Sequence, residues 1–225
     1  MVIISYSKLR DFYRRHPDAE DALNNWYRAT LAADWEDYYD VKNLFNSVDA
    51  VGNDRFVFNI RGNTYRLVAM IFSTSGPSTL GLLGFIKTMT ESTAPPFNIP
   101  DMQTTQKITQ ESDYKATMAR IEHLMSKGSE SVSKKELAEI RKLAVAAQAY
   151  EQSTFTIAPP TTLAGIIEMK MYEMKLKQKD LAKKLKVSDT KLSMIMNGKQ
   201  KPDVDFIKSV HKQLKVNGDY LLNSL

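Results

Sequence analysis

"QKDLAKKLKVSDTKLSMIMNGKQKP", residues 178–202, is the stretch that decides the architecture of the C-terminal part. Gln178 opens an amphipathic run whose inward positions are Leu181, Ala182 and Leu185, at helical spacing. The small Ala182 lets a second helix cross closely, and Val187 plugs the turn that follows. Ser188 is a strong N-cap for the next helix, whose buried side is Leu192 and Ile195. Asn197 and Gly198 end that helix, because glycine accepts the left-handed conformation that closes it. The stretch therefore predicts a short helix, a three-residue turn and a second short helix, a geometry that offers the second helix to a DNA major groove.

The charge of the chain agrees. It has 225 residues and a net charge of +5. Residues 165–225 hold 13 lysines against seven acidic residues, a local balance of +6, whereas residues 1–164 carry 18 basic and 19 acidic residues, −1. A basic C-terminal quarter suits the phosphate backbone of nucleic acid; a solvated lysine-rich helical face is the plainer account. Residues 161–222 resemble the repressor-type helix-turn-helix family, with one departure: Lys186 stands where that family carries glycine, which implies some backbone strain. By this resemblance Ser188, Asp189, Thr190 and Lys191 begin the recognition helix, where base contacts occur, and Gln178, Lys199 and Lys201 reach phosphates, which position the protein without reading sequence. A helical bundle that merely shares the spacing is the alternative.

Upstream, "ESDYKATMARIEHLMSK" (111–127) and "SKKELAEIRKLAVAAQAYEQ" (133–152) are helical in texture, and Ser133 with Glu136 forms a capping box. "TFTI" (154–157) is extended and is placed to add a strand to an exposed sheet edge, while Met118, Ile121, Leu124 and Met125 present an apolar face that either contacts the N-terminal module or is this region's own core. The N-terminal part differs. "VIIS" (2–5) is a short β-run, Ser7 is placed to cap a helix through Arg15, and Asp18 to cap a second over "AEDALNNWYRATLAA". "DYYDVKNLF" (37–45) suits a third helix. "RFVFNI" and "TYRLVAMIF" read as two strands joined by "RGN". This predicts an α+β module over 1–72, then a Pro-rich linker, then an all-α region.

"KLRDFYRRHPDAEDALNNWYR", "ADW", "DVKNLF" and "VGNDRFVFNIRGNTYRLVA" resemble, in order and spacing, the HigB toxins, mRNA interferases with a RelE-like fold that act on the ribosome. "DYKATMARIEHLM", "AYEQSTFTIAPPTTLAGIIEMKM" and the helix-turn-helix resemble the HigA antitoxins over 102–225. The resemblance implies a toxin–antitoxin fusion: residues 1–72 a truncated toxin module, 73–101 a tail or linker, 102–160 the toxin-binding helices and 161–225 the DNA-binding domain. It further implies operator DNA as a partner, autorepression by a homodimer, and ribosome and mRNA as partners only if the toxin is intact. With no cysteine, no apolar run near the ~20 residues of a membrane span and no signal peptide, a cytoplasmic protein without membrane partner, metal or cofactor is expected.

Family toxins end in a strand and tail resembling Y-I-R-F-I-G-x-H-K-x-Y-D-x-I, whereas this chain has "STLGLLGFIKTMTEST" (78–93). Back-translated with permitted codons and read from the third base of each, this segment yields Y-I-R-F-I-G-I-H-K-D-Y-D-R-I-D. Phe97-Asn98 permits TTT-AAT, which hides a TAA stop in the same register. Residues 73–97 thus read as the toxin's own tail translated out of frame, a designed linker being the alternative. "STLGLLG" is expected to pair poorly as a strand, with Gly81 and Gly84 inside it.

RNA cleavage of this kind needs cations for the phosphate and a proton shuttle for 2′-hydroxyl attack. Lys42, Arg61 and Arg66 supply candidate cations, and Arg66 resembles a family active-site arginine; each is equally readable as surface charge. The His and Tyr of the family tail are missing, His16 precedes a helix-boundary proline and reads as structural, and His123 and His211 lie in the other half. The expected product is an antitoxin and DNA-binding autorepressor carrying an inactive toxin remnant. The alternatives are a latent mRNA interferase held off by the fused antitoxin, or an unrelated transcription factor with an N-terminal sensor. Sequencing the encoding DNA across codons 70–100 is expected to reveal the toxin tail and its TAA in the overlapping register; codons incompatible with that reading would defeat the frameshift account.

Overall fold

The computed structural model describes residues 2–35, 37–45, 47–52, 54–62, 64–73, 82–88 and 108–225. The alternating segments form an antiparallel pair, β3 (Arg55–Ile60) and β4 (Tyr65–Ser73), with Phe58 opposite Leu67. Two edge strands complete the frame, β1 (Val2–Ile4) and β2 (Val48–Ala50), the latter antiparallel to β3. Between β1 and β4 runs β5 (Leu82–Thr88), parallel to β1 and antiparallel to β4, with Gly84 opposite both Ile3 and Ile71. The sheet order is β1-β5-β4-β3-β2.

β5 corrects the expectation of poor pairing for Leu82–Gly84, while the rest of "STLGLLG", with Gly81, lies outside the described residues. The slot between β1 and β4 presents unpaired backbone donors and acceptors from both sides, and Leu82–Thr88 is a proline-free run containing Phe85, Ile86 and Thr88, all strand-favouring residues. Two ladders outweigh the weak strand preference of Gly84. The remainder of the expected linker, 74–81 and 89–101, lies outside the described residues, as do 102–107 of the expected toxin-binding region.

One face of the sheet is covered by α1 (Tyr6–Tyr13), α2 (Glu20–Leu31) and α3 (Tyr38–Leu44). Trp26 of α2 is buried against Phe58 of β3, ring centroids 5.1 Å apart and edge to face, and Phe45 meets the same ring at 5.1 Å. Two expected caps are different. α1 starts after Ser5, which has a left-handed φ of 80° and no side-chain cap bond, whereas Ser7 shares a 2.9 Å hydrogen bond with the Tyr114 hydroxyl. Asp18 caps nothing; it sits in a short 3-10 turn, Pro17–Ala19, and accepts from the Tyr65 hydroxyl at 2.9 Å and from Arg61. In both cases a partner distant in sequence wins over the local backbone. Asp37 does cap α3, accepting from the Asp40 N–H at 3.1 Å.

The opposite face is covered by α4 (Glu111–Met125) and α5 (Lys134–Thr154). Ile121, Leu124, Ile140 and Ala144 close around Ile4 of β1 and Met70 of β4. β4 is therefore buried on both sides: Leu67, Ala69 and Ile71 point to α1–α3, Met70 to α4–α5. The capping box forms, with Ser133 N–H donating to Glu136 at 2.9 Å and the Ser133 hydroxyl accepting from Glu136 N–H at 3.3 Å. The expected edge strand at 154–157 does not form. Thr154 closes α5, and Phe155 and Ile157 insert their side chains against the α1–α2 core, the Arg10 guanidinium lying 4.3 Å over the Phe155 ring. Burial of these two side chains outweighs a pair of edge ladder bonds.

The last region is all-α: α6 (Leu163–Glu173), α7 (Gln178–Leu185), α8 (Asp189–Met196), α9 (Val204–Leu214) and α10 (Gly218–Leu222) around Ile166, Leu181, Leu192, Phe206 and Leu221. The fold is thus α+β followed by an all-α helix-turn-helix region. No helix among the described residues is long and apolar enough to cross a membrane.

Glu151 of α5 ties the layers together. Its buried carboxylate accepts from Ser5 N–H at 2.8 Å, Tyr6 N–H at 2.9 Å and the Tyr114 hydroxyl, so it does for α1 what a local cap would do. Burial pushes this carboxyl up to about 7 from an ordinary 4.5, against the lowering effect of those hydrogen bonds. A carboxyl with a raised folded value holds its proton more tightly folded than unfolded, so its contribution is fullest below 4.5 and is lost as pH rises through about 7. Between about pH 5 and pH 8 the melting temperature of Glu151→Gln should therefore move upward relative to that of the parent chain, by a few °C, on the order of 1–3 kcal/mol. A difference independent of pH in paired thermal melts would contradict this role.

Candidate nucleic-acid interface

The crossing of α7 and α8 follows the sequence pattern. Leu181, Ala182, Leu185, Leu192 and Ile195 are buried, and the turn between the helices holds Lys186 at a left-handed φ of 58°, the strain that glycine would relieve. Val187 N–H bonds Ala182 C=O at 3.0 Å across the turn. Gly198, at φ +69°, closes α8.

The expected DNA-contacting residues fall into two groups. Asp189 and Thr190 are exposed in the first turn of α8, Lys199 and Lys201 are exposed in the loop after it, and Gln178 is half-buried at the start of α7. Two others are engaged within the protein. The Ser188 hydroxyl accepts from Lys191 N–H at 3.1 Å as the helix cap, and the half-buried Lys191 ammonium lies 2.5 Å from Asp203. Asp203 caps α9 through Phe206 N–H at 2.8 Å, and Lys191, followed by that cap, holds its carboxyl below the usual range. Lys191 is therefore anchored to α9, and base contact through it requires Asp203 to let go. Met194, 38% exposed, lies four residues beyond Thr190 and continues the outward stripe of α8. Sequence reasoning passed over it, although its offset from Leu192 and Ile195 marks it as outward-facing.

The three candidate cations of the toxin-like module are not brought together. Lys42 on α3 donates to Val48 C=O at 2.8 Å and lies 3.9 Å from Asp49. Arg61, at φ 50° in the β3–β4 turn, pairs with Asp18. Arg66 is exposed on β4 opposite Asn59, its side chain on the face away from α1–α3. Lys42 and Arg66 thus address opposite faces of the sheet. His16 stacks on Phe12, centroids 4.5 Å apart, and His211 Nδ1 lies 2.7 Å from Val216 C=O. His123 occupies the last turn of α4. No group of three or more His, Asp or Glu side chains among the described residues is placed to hold a metal ion.

The two halves meet along α2. Asp21 accepts from Thr161 N–H at 3.0 Å and Thr162 N–H at 2.8 Å, at the start of α6. Asn25 donates to Gly165 C=O at 2.7 Å and to Glu168 at 3.2 Å, and Arg28 donates to Ile157 C=O at 2.9 Å. Glu168 is partly exposed as a residue, yet its carboxyl lies in crowded surroundings, and that burial pushes it up to about 7. Beside this seam is a cleft of about 530 Å3 between the β3–β4 turn and the helix-turn-helix.

Comparison with known proteins meets this geometry on both sides. Residues 19–80 match the family model for HigB toxin, the RelE-like toxic component of a toxin–antitoxin system, and residues 167–221 match a helix-turn-helix family model. The pair is consistent with a HigB–HigA fusion, and the toxin match runs past residue 72, the expected end of the module. Neither the curated proteins nor the solved structures contain a match to the chain.

Proposed function

We propose that the chain is a toxin–antitoxin fusion whose C-terminal domain binds operator DNA as a symmetric homodimer and represses its own operon, while residues 102–160 neutralise the toxin-like half. The observation that carries the DNA reading is a helix-turn-helix with Asp189 and Thr190 exposed at the start of α8 and Lys199 and Lys201 exposed beyond its end. A single recognition helix reads few bases, so a dimer on half-sites about 34 Å apart supplies specificity. The neutralising role is supported by α4 and α5, which pack on Ile4 and Met70 of the toxin-like sheet, and by the α2 seam, which commits Asp21, Asn25 and Arg28 to the antitoxin half. Such a protein works in the cytoplasm, next to its operon.

Thr190→Ala combined with Lys191→Ala should relax sequence preference, whereas Lys199→Ala should weaken binding to all duplexes and lower the salt slope by about one unit. Undiminished selectivity in the double variant would overturn the assignment of α8 as the reading helix.

On this reading the toxin-like half is inactive. The histidine and tyrosine of the family tail are missing, and the candidate cations Lys42, Arg61 and Arg66 are not brought together. β5 is the one observation that favours the latent-nuclease reading, since it fills the sheet where the family tail would run. Expression of residues 1–101 alone separates the two: unchanged growth and intact mRNA are expected, and growth arrest with cleaved mRNA would establish that the retained residues suffice.

A further inference from the structure

The cleft between the halves lies at an unusual place on the helix-turn-helix. By the resemblance given above, such a unit is expected to reach DNA phosphates from the N-terminus of its first helix and from the segment following its second. Here those points are Gln178, which opens α7, and Asn197-Gly198, which follow α8; all three line the cleft. The facing wall belongs to the toxin-like module: Asp18, Arg61 and Gly62. The approach is close, since a Cβ on Gly62 would lie 2.5 Å from Asn197 Oδ1. The β3–β4 turn therefore rests on the backbone-gripping edge of the DNA-binding domain.

From this placement we infer that Arg61 and Gly62 are part of the DNA-contacting surface, and that Arg61 of the toxin-like half supplies a phosphate contact continuous with those of Gln178 and Lys199. The inference rests on the DNA-binding reading above. The chemistry suits Arg61. Its side chain is 43% exposed and that of its partner Asp18 is 40% exposed, and an ion pair so open to water is worth little, so a phosphate can replace or share the carboxylate. A guanidinium presents a planar fork that matches phosphate in two parallel hydrogen bonds. The acidic groups of the cleft are already engaged: Asp18 accepts from Tyr65, Asp21 takes the N–H groups of Thr161 and Thr162, and Glu168 takes Asn25. Gln178 lines the same cleft as Arg61, and Lys199 directly follows the lining Gly198.

Phosphate contact is independent of sequence, so the test needs no operator. The full chain is titrated onto a mixed-sequence duplex of about 30 base pairs over a range of salt. Arg61→Asn removes the charge with a residue that tolerates the positive φ of this turn. It should lower the salt slope by about one unit and weaken binding several-fold. Arg61→Lys should keep the slope, Asp18→Asn should tighten binding by freeing Arg61, and Arg141→Ala, on the exposed side of α5, should change nothing. An unchanged slope in Arg61→Asn, while Lys199→Ala loses its unit, would overturn the inference and leave the DNA reading intact. Tighter binding by Arg61→Asn would overturn it as well, because the turn would then be masking the edge. Absence of salt-dependent binding in the parent chain would refute both readings together.

Discussion

Strand β4 is apolar on both sides, and the architecture depends on satisfying that. Leu67, Ala69 and Ile71 need one cover and Met70 another, and an exposed apolar sheet face of this kind is not tolerated in water. α1, α2 and α3 supply the first cover from the same module. The second comes from α4 and α5, more than forty residues further along the chain. The two halves are thus joined by a hydrophobic layer, and polar contacts only fix the register. Glu151 reaches through that layer to hold the start of α1, and α2 carries the polar seam to the helix-turn-helix.

What the sequence revealed depended on the range of the interaction responsible. Ser133 with Glu136, Ser188 with Lys191 and Asn197 with Gly198 act within a few residues, so the starts of α5 and α8 and the end of α8 were legible from the letters alone. The alternation of "RFVFNI" likewise marked β3, since a strand's own pattern records which face is wet. Ser7 and Asp18 were misplaced as caps for the opposite reason: each is claimed by a partner far away in the chain, Tyr114 in one case and Arg61 with Tyr65 in the other. β5 was missed because Gly84 and the surrounding glycine-rich letters masked the strand-favouring Phe85, Ile86 and Thr88, and because the slot between β1 and β4 that completes it is not visible in sequence.

The site shows the same division. Asp189, Thr190, Lys199 and Lys201 were placed on the surface by the helix-turn-helix pattern, and they lie there. The tether of Lys191 to Asp203 was not readable, because it spans the turn to α9. Nor did anything in "RGN" announce that this turn would face Asn197. The toxin-like cations were grouped by chemistry alone, and the sheet separates Lys42 from Arg66 by putting them on opposite faces.

The seam along α2 belongs to a single chain, and that changes its energetics. When two partners are separate molecules, each lost contact lowers occupancy in proportion to their concentrations. When they are tethered, the second encounter is intramolecular, and its effective concentration can reach the order of millimolar. The docking of α6 on Asp21, Asn25 and Arg28 is then independent of how much protein is made, and it survives the loss of contacts that would separate a two-chain complex. Substitutions along this seam can accumulate with little effect on occupancy, so its polar contacts are free to drift while the buried layer between sheet and helices stays under constraint.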